Sequence, residues 1–206
     1  MSSTPKLKLD WCSAKAARFA CETWHYSESL PASGVKIGVW EGDRFVGAVV
    51  YGLGSGNATR GERYGLSATH DVAELMRVAL APQRRRAHPT SRVVAISMKL
   101  IERQSPDLKM LISFADYAGQ GHTGTIYQAT NWYYLGTSEG YAGFRINGET
   151  MHNRTVGANG WKQSLDWLRA HVDPNAERIK SVKHRYAYPL TDSVRETLED
   201  MAQPYP

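Results

Sequence analysis

Apolar and polar residues alternate from Lys6 to Asp10, the period of two that a half-buried strand requires. From Ser13 to Trp24 the period lengthens. Ala17, Ala20, Cys21 and Trp24 recur at helical spacing in an alanine-rich stretch, which predicts a helix. Val35 to Trp40 and Phe45 to Tyr51 read as the two strands of a hairpin around Glu41-Gly42-Asp43. Gly52 to His70 carries five glycines among Ser, Asn and Thr and is expected to be a long surface loop. Beyond it the rhythm is clearest. Val72 to Leu80 predicts a strand that ends at Pro82, and Thr90 to Gln104 a helix with Val93, Val94, Ile96, Ser97, Leu100 and Ile101 as its buried stripe. Leu108 to Phe114 predicts a buried strand, Gly121 to Thr130 a second helix, and Tyr133 to Leu135 a strand followed by Gly136. Such a strand–helix–strand–helix–strand run calls for parallel pairing with right-handed crossovers. Past Phe144 the pattern weakens to a helix near Trp161 to His171, a strand from Tyr186 to Leu190 and a last helix, opened by Thr191, that reaches Met201. The expectation is one α/β domain over residues 1–206, a mixed sheet with flanking helices.

Composition narrows the class. The 206 residues suffice for a core without disulfides, and 42% hydrophobic with 22% charged residues is ordinary for a soluble globular protein. No apolar run approaches the roughly 20 residues of a membrane span, so no membrane partner is expected. Met1 to Trp11 has two lysines but no apolar block behind them, unlike a secretory signal. Cys12 and Cys21, nine residues apart, match no zinc or redox spacing. They are expected to be small buried hydrophobes of a protein in a reducing compartment, the cytoplasm. A net charge of +5 and a pI near 9.2 suit an acidic partner without demanding one. The distribution says more: Arg84, Arg85, Arg86, His88 and Arg92 form one cluster. Arg169, Arg178, Lys180, Lys183, His184 and Arg185 form a second, diluted by Asp173 and Glu177. These clusters are either phosphate contacts for a nucleic acid or a solvated basic face.

Several residues carry chemistry. His25-Tyr26 stands where the first helix must end, because Ser27 to Ser33 with Pro31 breaks its pattern. A histidine there offers a base near neutral pH or a metal ligand, and the tyrosine a phenol for proton transfer or an oxygen ligand. The alternative is an aromatic patch capping the core. Asp116 follows Leu108 to Phe114 at the carboxyl end of a strand, the edge where ligands gather in open α/β sheets. It can orient an amino group, accept its proton or bind metal, or else cap the next helix. His122 and Tyr127 are five apart and share a helical face poorly, so one is expected at the site and the other against the sheet. Gly119, Gly121 and Gly124 would let a phosphate or cofactor approach that helix start, and loop flexibility explains them nearly as well. In Asn131-Trp132-Tyr133-Tyr134 the aromatics can stack an extruded base while the asparagine reads its edge, or they can be core. Trp11, Trp40, Trp161 and Trp167 are read as packing residues.

Two resemblances bear on these residues. Glu74-Leu75-Met76-Arg77-Val78-Ala79-Leu80-Ala81-Pro82 resembles the strand Glu-Leu-x-Arg-Val-x-Val-x-Pro of the GNAT acetyltransferase superfamily. There the next loop runs Gln/Arg-x-x-Gly-x-Gly/Ala, and its backbone amides hold the pyrophosphate of coenzyme A at a helix start. Here it reads Gln83-Arg84-Arg85-Arg86-Ala87-His88-Pro89, without glycine, so arginine side chains would have to replace amide contacts. The resemblance implies Arg77, Arg84, Arg85, Arg86 and Ser113 as cofactor-binding residues, and Tyr127 as the general acid for a departing thiolate. A narrower resemblance runs from about residue 24 to 190. Trp24-His25-Tyr26-Ser27, Ser113-Phe114-Ala115-Asp116, Gly121-His122-x-Gly124-Thr125-Ile126-Tyr127-Gln128-Ala129-x-Asn131-Trp132 and Lys183-His184-Arg185-Tyr186 are similar, in that order, to the Mom family. Those are phage-associated, GNAT-like proteins that convert adenine in DNA to an N6-modified base. The resemblance implies a modification that protects viral or mobile-element DNA from restriction, and double-stranded DNA as partner. It also implies a small amide-bearing group from an acyl-coenzyme-A-like or glycine-derived donor, and iron, with His25, Tyr26 and Asp116 as ligands. Oligomeric state stays open, a homodimer included.

The adenine would then lie extruded between Trp24-His25-Tyr26 and Asp116, with Asn131 and Trp132 on the base and Lys183, His184 and Arg185 on the backbone. His25 or Asp116 would remove an N6 proton as the amine attacks the donor, because its lone pair is delocalised into the ring. Tyr127 would protonate the leaving group. Two other readings stay open: an acyltransferase for a protein or small-molecule amine, and a non-catalytic DNA-binding module on the same scaffold.

Overall fold

The computed structural model of the chain describes residues 5–32, 34–54, 61–66, 69–84, 88–116 and 121–206. Its first half runs β1 (Leu7–Trp11), α1 (Ala14–Trp24), β2 (Val35–Glu41), β3 (Arg44–Gly52), β4 (Val72–Leu80), α2 (Thr90–Gln104) and β5 (Met110–Asp116). The second half runs α3 (Thr125–Gln128), β6 (Tyr133–Ile146), β7 (Glu149–His152), α4 (Asn153–Ala158), α5 (Leu165–His171), β8 (Glu177–Pro189) and α6 (Asp192–Met201). The fold is α/β with a mixed sheet whose hydrogen-bonded order is β1-β2-β3-β4-β5-β8-β6-β7. Neighbours from β1 to β4 are antiparallel, and β4 pairs β5 in parallel. The chain forms two compact units. Unit 1 holds Met1–Phe114, Gly124–Gly136 and Arg185–Pro206; unit 2 holds Ala115–Thr123 and Thr137–His184.

In unit 1, Ser13 caps α1 by accepting the Ala16 amide, which satisfies one of the donors a helix start leaves open. Ala17, Ala20 and Cys21 form its buried face and pack on Ala48, Val50 and Ala79 of β3 and β4. Small side chains on both surfaces bring the helix close to the sheet. Cys21 is buried as expected, whereas Cys12 is half-buried and Trp11 is exposed. The buried stripe of α2 is Val93, Val94, Ser97, Met98 and Ile101. Met98 takes the place expected of Ile96 and Leu100, which are half-buried.

The structure corrects three expectations about elements. The helix expected from Gly121 to Thr130 is only Thr125–Gln128. Gly121 and Gly124 hold φ of 65° and 84°, left-handed values that end a right-handed helix, and the Thr130 hydroxyl donates back to the Ile126 carbonyl. A Cβ on Gly124 would lie 2.3 Å from Cε2 of Tyr186, so glycine is required there twice over. The strand expected to end at Leu135 runs on to Ile146, because Gly136 (φ 76°) bends it without stopping it. The strand expected from Tyr186 to Leu190 begins nine residues earlier, at Glu177, and β8 lies between β5 and β6, so β6 does not continue the parallel succession.

In unit 2, Phe144, Ile146, Val156, Leu168 and Ala176 form the core, with Trp161 and Trp167 packed against it. Buried Asp173 accepts the amides of Asn147 and Asn175, which ties the turn before β7 to the one before β8. Among the described residues no helix is long and apolar enough to cross a membrane.

Trp132 of unit 1 is wholly buried. Its Nε1 donates to the Met98 sulfur at 3.3 Å, and its rings meet Tyr127 and Tyr188. It is a core residue here, and the base-stacking role expected of it is corrected on that ground. Trp132→Ala should lose about 3–5 kcal/mol of unfolding free energy in urea. A loss below about 1 kcal/mol would mean the side chain is not packed as described.

Candidate active site

The parallel ladder between β4 and β5 is short. Val72, Ala73 and Glu74 pair with Met110, Leu111 and Ile112, and among the described residues the two strands form no further pair. β4 continues to Leu80 bonded to β3, while β5 runs on past Ile112 without a further described pair to β4. Parting strands leave backbone groups without ladder partners, and buried ones must be satisfied otherwise. Ser113 does this at the point of divergence. Its Oγ lies 2.8 Å from the Leu75 carbonyl oxygen and 2.8 Å from the Tyr127 hydroxyl. A serine has one proton and a carbonyl can only accept, so Ser113 donates to Leu75 and Tyr127 donates to Ser113.

Tyr127 is thereby fixed, with its ring between Trp132 and Tyr186 at centroid distances of 5.2 and 5.0 Å. Burial pushes its pKa up to about 12. The Ser113 contact pulls the other way, and the nearby Tyr26, Glu74 and Tyr186 raise it further. At neutral pH the phenol is a loaded proton donor. Gln128 Nε2 donates to the Tyr186 hydroxyl at 3.2 Å, and burial also raises the Tyr186 pKa.

α1 delivers the other side of the site. Its C-cap, His25, is extended (φ −112°), and Tyr26 follows with its ring 4.3 Å from the imidazole and 58% exposed. The Ser27 amide donates to His25 Nδ1 at 3.1 Å, and the Ser27 hydroxyl lies 2.8 Å from the same nitrogen. Nδ1 is therefore the acceptor, and the neutral ring carries its proton on Nε2. In that arrangement His25 carries an N–H at Nε2. It also bears on iron. A metal ligand needs a nitrogen lone pair, and the only one in this tautomer is already taken by Ser27. Among the described residues no three or more His, Cys, Asp and Glu side chains gather to hold a metal. The donor set does not fit the expected iron, and no step is routed through one.

His25, Tyr26, Ser113 and Tyr127 thus come together in unit 1, and Glu74 joins them from the last rung of the β4–β5 ladder. Glu74 was missed as a site residue. Its signal is a carboxylate inside the apolar run Val72 to Leu80. Arg77, three residues on, donates to the Met76 carbonyl and sets its positive charge near Cys21, whose thiol burial raises and Arg77 lowers. Trp24 packs between Phe19 and Phe45, and Asn131 is an exposed turn residue with φ of 60°. Arg84 pairs with buried Glu41, with 3.0 Å between Nε and Oε2. Arg85, Arg86 and Gly119 lie outside the described residues. Asp116 belongs to unit 2, where its carbonyl accepts the His122 amide. Lys183 of unit 2 is half-buried and His184 is buried, so His184 is not the surface phosphate contact expected of it. Arg185 of unit 1 is half-buried, with its Nε in the interior and its charge near Tyr64.

Solved structures with this fold are GNAT acetyltransferases. A Bacillus subtilis acetyltransferase in complex with CoA is 9% identical, with a TM-score of 0.50, over 91% of this chain and 99% of its own. A spermidine N-acetyltransferase chimera from Vibrio cholerae and hSSAT is 10% identical, with a TM-score of 0.50, over 91% and 98%. This is a GNAT-like scaffold. The chain matches the Mom protein family over residues 6–206 and belongs to it. No curated protein sequence matches it.

Folding raises the Tyr127 pKa from 10.0 to about 12, so the folded state holds that proton more tightly than the unfolded one. Its contribution to stability is complete below pH 10 and is lost as pH climbs toward 12. Urea unfolding across that window should show a shallower loss for Tyr127→Phe than for the parent protein. Identical slopes would mean the phenol is not buried as described.

Proposed function

We propose that this protein is a DNA-modifying transferase that places a small acyl or glycine-derived group on N6 of adenine. Membership of the Mom family supports the substrate class. The observation that carries the chemistry is the buried phenol of Tyr127, oriented by Ser113 where β4 and β5 part, beside Glu74 and the adjoining rings of His25 and Tyr26. An enzyme acting on N6 must take the base out of the duplex, and exposed Tyr26 with His25 gives an extruded adenine a ring to stack on.

In this reading Glu74 takes the place expected of His25 or Asp116 as base. It removes one N6 proton as the nitrogen attacks the donor carbonyl, since loss of the proton frees the lone pair from the ring. The new N–C bond forms, the bond to the leaving group breaks, and Tyr127 hands its proton to that group. Glu74 then returns its proton to Tyr127, whose high pKa favours reprotonation. An acyl-coenzyme A is the donor class that the GNAT-like scaffold suits, and its leaving group is a thiolate. Duplex DNA is the partner that exposed Arg178 and Lys180 of β8 suit.

DNA from cells expressing the protein, digested to nucleosides and weighed by mass spectrometry, should contain a heavier deoxyadenosine. Tyr127→Phe should lower its yield about a hundredfold, the lower range for loss of a general acid. Unmodified deoxyadenosine alone, from cells holding soluble parent protein, would refute the proposal.

Duplex affinity should fall with salt at about −0.9 in log–log slope per phosphate contact, and Arg178→Ala with Lys180→Ala should make the slope shallower. An unchanged slope would place the duplex elsewhere.

A further inference from the structure

We infer that the segment after α6, residues 202–206, is a strap that positions Tyr127, and that Tyr205 is the positioning residue through which it acts. The inference rests on the reading of Tyr127 as proton donor given above. All the groups involved belong to unit 1. α3, which carries Tyr127, is a single turn of four residues opened by left-handed Gly124. Helices below roughly 12–15 residues are marginal without tertiary contacts, so this turn is held by what is bonded to it. The amides of Thr130 and Trp132 both donate to the Tyr127 carbonyl, at 3.0 and 3.1 Å. The carbonyl of the same Trp132 accepts the Tyr205 hydroxyl at 2.8 Å. Tyr205 is thus one residue removed from the backbone of Tyr127. Its ring reaches the same side chain by a second route, lying 6.4 Å from Tyr186, which is 5.0 Å from Tyr127. Gln203 adds another tie, its amide donating to the Tyr134 carbonyl at 2.8 Å. The Gln203 side chain lies over Gly136, where a Cβ would come within 2.7 Å of its Oε1.

Burial does not account for these ties. All five residues of the segment are exposed, Tyr205 at 49%, and such residues beyond a helix are ordinarily loose. One hydrogen bond contributes about 0.5–1.5 kcal/mol to folding, a small part of the whole. Its effect on chemistry is larger, because misplacing a reacting group by about 1 Å can cost a hundredfold in rate. The strap therefore acts where stability is least affected and geometry most.

Tyr205→Phe tests this, since it keeps the ring and removes the hydroxyl. The variant should melt about 2–4 °C below the parent, the shift expected for a loss near 1 kcal/mol. In NMR spectra of protein carrying isotope-labelled tyrosine, the Tyr127 Cζ resonance should shift or broaden. Glu199→Ala removes a different tie between α6 and β6, the acceptor of the Tyr133 hydroxyl, and should leave that resonance as in the parent. In DNA from expressing cells, Tyr205→Phe should lower the yield of heavier deoxyadenosine about tenfold. Should Tyr205→Phe fail to fold, Gln203→Pro, which lacks the amide that bonds to Tyr134, carries the same expectations. A parent-like Tyr127 resonance, or a parent-like yield from a folded variant, overturns the inference. A parent protein that yields no modified deoxyadenosine refutes the proposed function instead. The Tyr127 resonance then decides the strap by itself, a shifted signal supporting it and an unshifted one overturning it.

Discussion

The hydroxyl of Ser113 bonds at once to a strand and to a side chain, and the candidate site is arranged around it. Below it, β4 and β5 are held by backbone pairing that stops at Glu74 and Ile112. Above it, the strands part, and the serine gives its proton to the Leu75 carbonyl. Having given that proton away, Ser113 can only accept, which sets the direction of the Tyr127 hydroxyl. A gap that looks like a defect in the sheet is in this way closed at its base and supplied with an oriented proton donor. The same device recurs in unit 1: Ser97 donates to the Val94 carbonyl and receives the hydroxyl of buried Tyr51 at 2.7 Å.

Much of the fold was legible because periodicity reports burial. Ala17, Ala20 and Cys21 repeat at helical spacing and do form the buried face of α1, and the hairpin of β2 and β3 lies where alternation placed it. What misled was local chemistry overriding pattern. Gly121 and Gly124 lie in what reads as a helix, but their left-handed backbone leaves α3 a single turn. Glu177 to Arg185 reads as a cluster of charge, yet it is most of β8, with charged residues beside the buried Ser181 and His184. The basic residues accordingly divide by environment. Arg84, His88 and His184 turn inward, while Arg178 and Lys180 face solvent.

The site was legible in part. His25, Tyr26, Ser113 and Tyr127 stand in motifs that pointed to them, and the structure brings them together in unit 1. Their roles needed geometry. Only the Ser27 amide reveals which imidazole nitrogen carries the proton, and only the last rung of the β4–β5 ladder brings Glu74 into view. Trp132 shows the reverse problem: its motif suits a stacking platform, and its burial makes it core.

A double-mutant cycle between Ser113→Ala and Tyr127→Phe, read by urea unfolding at neutral pH, tests the central claim most directly. If one serine hydroxyl orients the phenol, the two changes should be coupled by about 1–3 kcal/mol. Effects that add to within about 0.5 kcal/mol would contradict it, because residues without a shared bond behave that way.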